Sequence, residues 1–439
     1  MYEQLTHLER TGRPLRVALT GASGRMGQGI ALQIGKTPGM RLIAAVGRDL
    51  NRAGRAAELH GRPWTLARTE ASMRTALRSG DTIVTDDVSS LLDWGRDVVD
   101  VLVESTGTVG YAAQVVEHAL RRQIHVVLLN AEVQSVLGLH LENVAQRAGA
   151  VLTSDAGDQH GVLLRMIDEM RLWGMDIVMA GNIKGFLDRY ATPESIAGEA
   201  AKRGLNPVMC AAFTDGTKVN IEMALVANAT GLVPARRGML GPRVKHVMEV
   251  GKVFDLPSLR DPGVVDYVIG AEPGGGVFLV GHCDDTLQHE YLRYYKMGDG
   301  PFYVAYRPYH LCHLETPFAI ATAALQRSAI LTVRRPPVAD VAAFAKADLA
   351  SGTNIPIGIG GPHAYGQIDL ASTCTALGAV PVSLIESVGA IAPRLRRAVA
   401  RDQIITWDDI ELPESFHLDA WRRQQQLIGS MSLVPSALA

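Results

Sequence analysis

The sequence predicts an α/β protein in three parts: a parallel sheet covered by helices, an α+β segment, and a small β-rich module at the C-terminal end. Three observations carry this reading. Short apolar runs alternate with helical stretches over the first third of the chain, the texture becomes β-rich and glycine-interrupted from about Gly174, and it changes again after Pro336-Pro337. The expected divisions are 1–155, 156–335 and 336–439. With 439 residues, 47% of them hydrophobic, the chain can bury more than one core.

After a polar leader of about fifteen residues, Arg16–Thr20 is a short, partly β-branched run stopped by glycine, which predicts a strand and a tight turn. A helical stretch from about Arg25 to Ile34 and a second strand over Arg41–Val46 complete a β-α-β unit. Further strand-like runs follow at Thr82–Val84, Val98–Glu104, His125–Asn130 and Ala150–Thr153. Such alternation predicts a parallel sheet with helices on both faces. In the middle part, Asp176–Ile183 and Gly276–Val280 read as strands and Ile221–Ala229 as a helix. In the last part, Ala345–Ile355 and Ala398–Leu412 share a form, a basic-acidic turn leading into a strand, and predict two arms of a self-contained β module.

Composition narrows the function classes. Lys plus Arg total 43 against 45 Asp plus Glu, so no overall charge points to nucleic acid or to an anionic membrane. No apolar stretch reaches the length of a membrane span, and the opening MYEQLTHLERTGRP lacks the apolar core of a secretory signal, so a soluble, cytoplasmic protein is expected. Cys210, Cys283, Cys312 and Cys374 are far apart and read as free thiols.

VALTGASGRMGQGIA places Gly21, Gly24 and Gly27 directly after the first strand and at the start of the first helix. A Cβ at these positions blocks a tight turn, the approach of a pyrophosphate and close helix–strand packing, so the spacing predicts a Rossmann dinucleotide site with phosphates over the helix N-terminus. Ser23, Arg25 and Met26 fall within that loop. The second strand ends at Val46 with Gly47 and Arg48 where NAD-binding chains place an acidic residue; Arg48 suits a 2′-phosphate, which favours NADP(H) over NAD(H). Ser105, Thr106 and Gly107 in VESTGTVG, and Asn130, Ala131 and Glu132 in LLNAEVQ, follow later strands and are expected beside the nicotinamide or its ribose.

GASGRMG, VESTG, LLNAEV and SDAGDQHG together resemble the homoserine dehydrogenase-like oxidoreductases. The later blocks GNIKG, FTDGTK, VANATG and YRPYHLCHLETP are similar to the branch that contains the deoxyxylulose-phosphate reductoisomerase-like enzymes, and the C-terminal segment is similar to the SAF module. The resemblance runs from about residue 14 to about 330 and implies NADPH-dependent conversion of a deoxyketose phosphate to methylerythritol phosphate. Homoserine dehydrogenases carry Ala-Asn-Lys where this chain has Asn130-Ala131-Glu132, which argues against homoserine as substrate. A homoserine dehydrogenase-like or sugar-acid dehydrogenase and a nucleotide-binding sensor without catalysis are the other readings.

Reduction of a carbonyl needs a group that neutralises the developing alkoxide. Lys184 in AGNIKG closes a strand-like run, Lys218 in FTDGTK lies beside glycine, and Asn182 and Asp215 accompany them; Lys184, Lys218 and Asp215 are the catalytic candidates. Lys296, Arg307, Tyr309 and His310, with His313 close by, concentrate cationic and hydroxyl groups that would clamp a phosphate or carboxylate, and with Asn182 they are the expected substrate-binding residues. Asp155 and Asp158 in SDAGDQHG, with His160 beside them, are weak candidates for a divalent metal and equally read as turn chemistry. The glycine-rich Ile357–Gln367 is not followed by an amphipathic helix and reads as a loop over the active site or against a neighbouring subunit. The expected partner is a small anionic substrate, and a homo-oligomer is expected.

Overall fold

A computed structural model describes residues 1–432. Along the chain run α1 (Tyr2–Arg10), β1 (Leu15–Thr20), α2 (Arg25–Lys36), β2 (Met40–Val46), α3 (Leu50–His60), β3 (Trp64–Leu66), α4 (Glu70–Ser79), β4 (Thr82–Thr85), α5 (Ser89–Leu92), β5 (Val101–Glu104), α6 (Val109–Arg121), β6 (His125–Leu128), α7 (Ala131–Ala148) and β7 (Leu152–Ser154). Next come α8 (Gln159–Leu172), β8 (Asp176–Lys184), α9 (Ala197–Arg203), α10 (Pro207–Thr214), α11 (Thr217–Thr230), β9 (Val233–Pro234), β10 (Val264–Ile269), β11 (Val277–His282), α12 (Thr286–Tyr294), β12 (Phe302–Arg307) and α13 (Cys312–Leu325). The chain closes with β13 (Ala339–Ala345), β14 (Ala364–Leu370), α14 (Ala371–Ala376), β15 (Arg394–Leu395), β16 (Ile410–Glu411) and α15 (Phe416–Ser432). No helix among the described residues is long and apolar enough to cross a membrane.

These elements form two compact units. The first takes residues 1–161, 311–334 and 419 onward; the second takes 162–310 and 335–418. The units interleave along the chain, whereas the sequence suggested three consecutive parts. The reason is visible in α13, which returns to pack against α2 in the first unit, where a Cβ at Gly29 would meet the His313 ring at 2.8 Å.

The first unit is built on a seven-stranded sheet of order β3-β4-β2-β1-β5-β6-β7 with every pairing parallel. Apart from the exposed edge strand β3, its strands are buried along nearly all of their length, β5 completely so, as expected of a sheet covered on both faces. Central β1 pairs with both β2 and β5, so the strand order reverses at its C-terminal end, where open α/β sheets bind ligands. The core joins Val17 and Leu19 of β1 to Ile30 and Ile34 of α2 and to Ile320 of α13. The polar leader is helix α1, which buries Leu5; its Glu9 carboxylate accepts the Gly39 N–H at 2.9 Å. The helix is mostly polar and brings little apolar surface to the core.

The second unit contains a five-stranded sheet, β12-β11-β8-β10-β9, in which β8 runs antiparallel to β11 and parallel to β10. Helix α11 packs against this sheet and also against the β13–β14 pair. The C-terminal segment is β-rich as expected, with β13 and β14 antiparallel and bridges such as Phe344↔Ile404 and Leu349↔Val399 tying in later segments. It is not self-contained, however. Side chains of α11 complete its backbone pairing: Thr217 Oγ1 accepts the Gly366 N–H and Asn220 Oδ1 the Ile368 N–H, both at 2.9 Å. Asn228 Oδ1 accepts from Val338 and Ala339 while its Nδ2 donates to the Ala339 carbonyl.

Candidate active site

In the first unit, the three glycines of the β1–α2 turn have separate physical duties. Gly21 has φ +75°, and a Cβ there would lie 2.7 Å from the Ser105 backbone. Gly27 is buried, and its Cβ would fall 2.3 Å from the Gly21 carbonyl oxygen. Gly24 is exposed at the N-cap of the twelve-residue α2 and makes no side-chain cap, and Arg25 and Met26 after it are exposed too. This bare, open helix start fits the pyrophosphate of a nicotinamide dinucleotide.

Around the turn, the strand-end loops brace one another. Ser23 Oγ donates to the Asp49 carbonyl at 2.9 Å, and a Cβ on Gly47 would collide with that hydroxyl at 2.0 Å. Arg48 is exposed beside this contact, whereas the Asp49 carboxylate accepts the Arg52 N–H and caps α3. Ser105 Oγ donates to the Thr20 carbonyl at 2.7 Å, and Gly107 is exposed at the lip. Asn130 is a brace: its Nδ2 donates to the Thr106 and Thr108 carbonyls at 3.0 Å each while its Oδ1 accepts the Val133 N–H. Ala131 and Glu132 are buried in the first turn of α7.

Sequence reasoning missed Glu104, the last residue of β5. It is fully buried, its Oε1 accepts the Thr106 N–H at 2.8 Å and the Thr106 hydroxyl, and its Oε2 has no hydrogen-bond partner. Burial pushes its carboxyl up to about 8, against the hydrogen bonds from Thr106. The only hint in the sequence is an acid at the end of an apolar strand.

The Asp155 carboxylate accepts the Gly157 and Asp158 N–H groups through Oδ2 and the Thr316 hydroxyl through Oδ1. Burial pushes it up to about 7. Three donors on a carboxyl that burial holds toward its neutral form do not suit a cation ligand, so we derive no step through a metal. Asp158 Oδ1 accepts the Gln159 N–H, and its other oxygen lies 4.0 Å from Nδ1 of the buried His160.

In the second unit, the site grows from the end of β8. Asn182 and Lys184 lie two apart on the strand and therefore share a face. Above that face, α11 buries Glu222, whose Oε2 accepts the Asn182 amide at 2.9 Å and lies 3.4 Å from Lys184 Nζ. Asn182 is fully buried, and its Oδ1 has no hydrogen-bond partner among the described residues. Lys218 stands one helical turn before Glu222, itself buried, with its Nζ 5.7 Å from the centre of the Phe213 ring. Glu222 was not singled out from sequence; the signal was the Lys218-x-x-x-Glu222 spacing inside an otherwise uncharged helix.

Asp215 opens α11 by accepting the Thr217 N–H at 2.7 Å, and its Oδ2 lies 2.8 Å from Nζ of the buried Lys346. Burial raises its carboxyl above the ordinary range despite the opposing pull of Lys346.

The register sorts the remaining candidates. Asn182 pairs with Val277, which pairs with Arg307, so Arg307 shares the sheet end that carries Lys184. The Arg307 guanidinium sits 4.8 Å from the Tyr309 ring centre, and His310 Nδ1 bonds the Gly275 carbonyl at 2.7 Å. Lys296 lies before Phe302, which pairs with His282 at the end of the β11–β12 ladder opposite Arg307.

The family profile for the NAD-binding domain of homoserine dehydrogenase matches residues 24–154. That for the catalytic domain of oxidoreductase DRL matches residues 157–316. The chain thus carries stretches similar to an NAD-binding domain and to an oxidoreductase catalytic domain. The first match begins in the glycine turn; the second contains Asn182, Lys184, Lys218 and Glu222. No curated protein sequence matches the chain. Among solved structures it is similar to 1-deoxy-D-xylulose 5-phosphate reductoisomerase from Zymomonas mobilis in complex with NADPH, at 16% identity and TM-score 0.35, over 48% of this chain and 57% of that one. A putative myo-inositol dehydrogenase from Sinorhizobium meliloti 1021 is similar at 13% identity and TM-score 0.38, over 72% of this chain and 90% of that one.

Proposed function

We propose that the protein is an NADPH-dependent isomeroreductase acting on a small anionic hydroxy-ketone, most specifically converting 1-deoxy-D-xylulose 5-phosphate to 2-C-methyl-D-erythritol 4-phosphate. The observation that carries this reading is the buried Asn182–Glu222–Lys184 cluster, a positioned cation and an unpaired amide oxygen within the span of the DRL catalytic domain. Exposed Arg48, with Asp49 spent on a helix cap, supports the preference for NADPH.

In this reading one carbon–carbon bond of the ketose breaks and another forms without net oxidation, and the resulting aldehyde gains a hydride and a proton. The nicotinamide, when bound, supplies the hydride. Lys184 donates a hydrogen bond to the oxygen on which negative charge develops, in both the rearrangement and the reduction. Glu222 holds that ammonium in place, and Asn182 Oδ1 accepts a substrate hydroxyl. Lys218 adds a second cation, and Arg307 takes the phosphate through its planar fork. The experiment is oxidation of NADPH by the purified protein with deoxyxylulose phosphate, aspartate semialdehyde and keto sugar acids offered separately. Turnover with the phosphoketose alone is expected. Turnover with a keto sugar acid would move the assignment to a dehydrogenase, and cofactor binding with no turnover would favour a sensor.

A further inference from the structure

Lys346 follows β13 in the C-terminal module and is 4% exposed. Its ammonium donates hydrogen bonds to the Ala191 carbonyl at 2.6 Å and the Gly361 carbonyl at 2.8 Å and is ion-paired with Asp215 Oδ2 at 2.8 Å. Each partner sits on a different piece of chain. Ala191 lies in the loop that follows Lys184, Asp215 stands before the helix that carries Lys218 and Glu222, and Gly361 lies in the glycine-rich loop of the module.

A second set of contacts from the same module repeats the pattern. Tyr190, next to Ala191, donates its hydroxyl to Asp402 Oδ2 at 2.8 Å, and the Arg401 guanidinium lies 3.6 Å from the Tyr190 ring centre. The other Asp402 oxygen accepts the Tyr365 hydroxyl at 2.8 Å, and Asp402 itself is held at φ +61°, a conformation that side chains other than glycine rarely adopt. Backbone N–H groups of β14 end on Thr217 and Asn220 of α11. The glycine-rich loop is pressed against α10: a Cβ on Gly360 would stand 2.1 Å from the Val208 carbonyl oxygen.

We infer that the C-terminal module is a frame for the active site, with Lys346 the positioning residue that fixes the segment leaving Lys184 and the helix bearing Lys218 and Glu222 in one mutual arrangement. The inference rests on the proposed roles of Lys184 and Glu222. A pair kept only for stability would be served as well by apolar side chains of similar volume, because burying two charges costs much of what their attraction returns. The three-way geometry of Lys346 supplies direction instead.

The test uses the full chain. Lys346→Met combined with Asp215→Asn removes both charges together, so neither is left buried alone; Tyr190→Phe is the milder second variant. For the double variant kcat is expected to fall about 100-fold, the size of effect that a 1 Å misplacement produces, with KM and NADPH affinity within about threefold of the parent. For Tyr190→Phe the same split is expected at about three- to tenfold. Amide hydrogen exchange is expected to speed up across 185–191 and 213–222 and to stay unchanged in α2. A folded double variant with parental kcat and parental exchange in those segments would overturn the inference; should it fail to fold, parental kcat and exchange in Tyr190→Phe would do so. Lys184→Ala in the same assay separates the two layers, because unchanged turnover there removes the catalytic reading and leaves exchange to decide whether the frame exists.

Discussion

Lys184 Nζ lies 3.4 Å from Glu222 Oε2, the oxygen that also accepts the Asn182 amide at 2.9 Å. A strand end and the interior of a helix thereby hold one cation between them. Glu222→Gln keeps the shape and removes the charge that fixes the ammonium, so kcat should fall by about 10²- to 10⁴-fold, the range expected for losing a positioned proton donor. NADPH affinity should stay within a few fold, because the cluster lies outside the NAD-binding domain match. Steady-state kinetics beside a cofactor titration check this; an unchanged kcat removes Glu222 from the mechanism.

Gly27→Ala introduces a Cβ 2.3 Å from a backbone oxygen that has no freedom to withdraw. The turn between β1 and α2 must open, and NADPH should bind at least about tenfold more weakly, a loss of about 1.4 kcal/mol. Fluorescence titration of NADPH into the variant reads this directly, and parental affinity would show that the turn does not hold the pyrophosphate.

Arg48→Ala tests cofactor choice. Removing this exposed cation should weaken NADPH by about tenfold while leaving NADH within about twofold, since only NADPH carries the 2′-phosphate. Equal losses for both cofactors would mean that Arg48 does not read that phosphate.

Glu104 gives a pH dependence with a definite sign. Burial holds its proton up to about pH 8 in the folded chain, whereas the unfolded chain releases it near 4.5. Between these values the unfolded state binds fewer protons, so stability falls as pH rises, by up to about 1.4 kcal/mol per pH unit. Asp155, pushed up to about 7, acts in the same direction over a lower window. His60 and His125, both pushed down to about 4 by burial, act oppositely below pH 6.5, so the readout is the difference between variant and parent. Glu104→Gln should flatten the decline between about pH 5 and 8 in thermal melts. Parallel curves would show that Glu104 does not titrate there.

Gln424, at the C-terminal end of the chain, sits between two backbone groups of α7. Its Nε2 donates to the Val136 carbonyl at 2.8 Å and its Oε1 accepts the His140 N–H at 2.9 Å. Gln424→Leu leaves buried backbone groups without these bonds and should cost about 1–3 kcal/mol. Denaturant unfolding measures it; a loss under about 0.5 kcal/mol would mean that α7 closes its own ladder.

Much of the nucleotide domain was legible because its signals are local: buried parallel strands are apolar runs, and Gly21, Gly24 and Gly27 sit where a strand becomes a helix. The strands fell within a few residues of the expected spans. Lys184 and Asn182 were legible for a similar reason, two apart on one strand and before a glycine. What escaped depends on pairings distant in sequence. Glu222 is 38 residues from Lys184, and Lys346 reaches Ala191 across a separation of 155, so nothing near either residue announces its partner. Lys296 and Arg307 looked like one clamp because they are close along the chain, yet β12 runs between them, with Lys296 before its first residue and Arg307 its last. Helix α13 was assigned by position to the middle segment, because nothing in it signals the return to α2.

The central claim is that NADPH reduces the product of a phosphoketose rearrangement at the Lys184–Glu222 cluster. It is tested most directly by following NADPH absorbance and product together with 1-deoxy-D-xylulose 5-phosphate, for the parent and for Lys184→Ala. The account predicts one NADPH oxidised per methylerythritol phosphate formed by the parent, with Lys184→Ala binding NADPH normally and turning over at least 100-fold more slowly. Normal NADPH binding by a parent that oxidises none of it with this substrate would contradict the account.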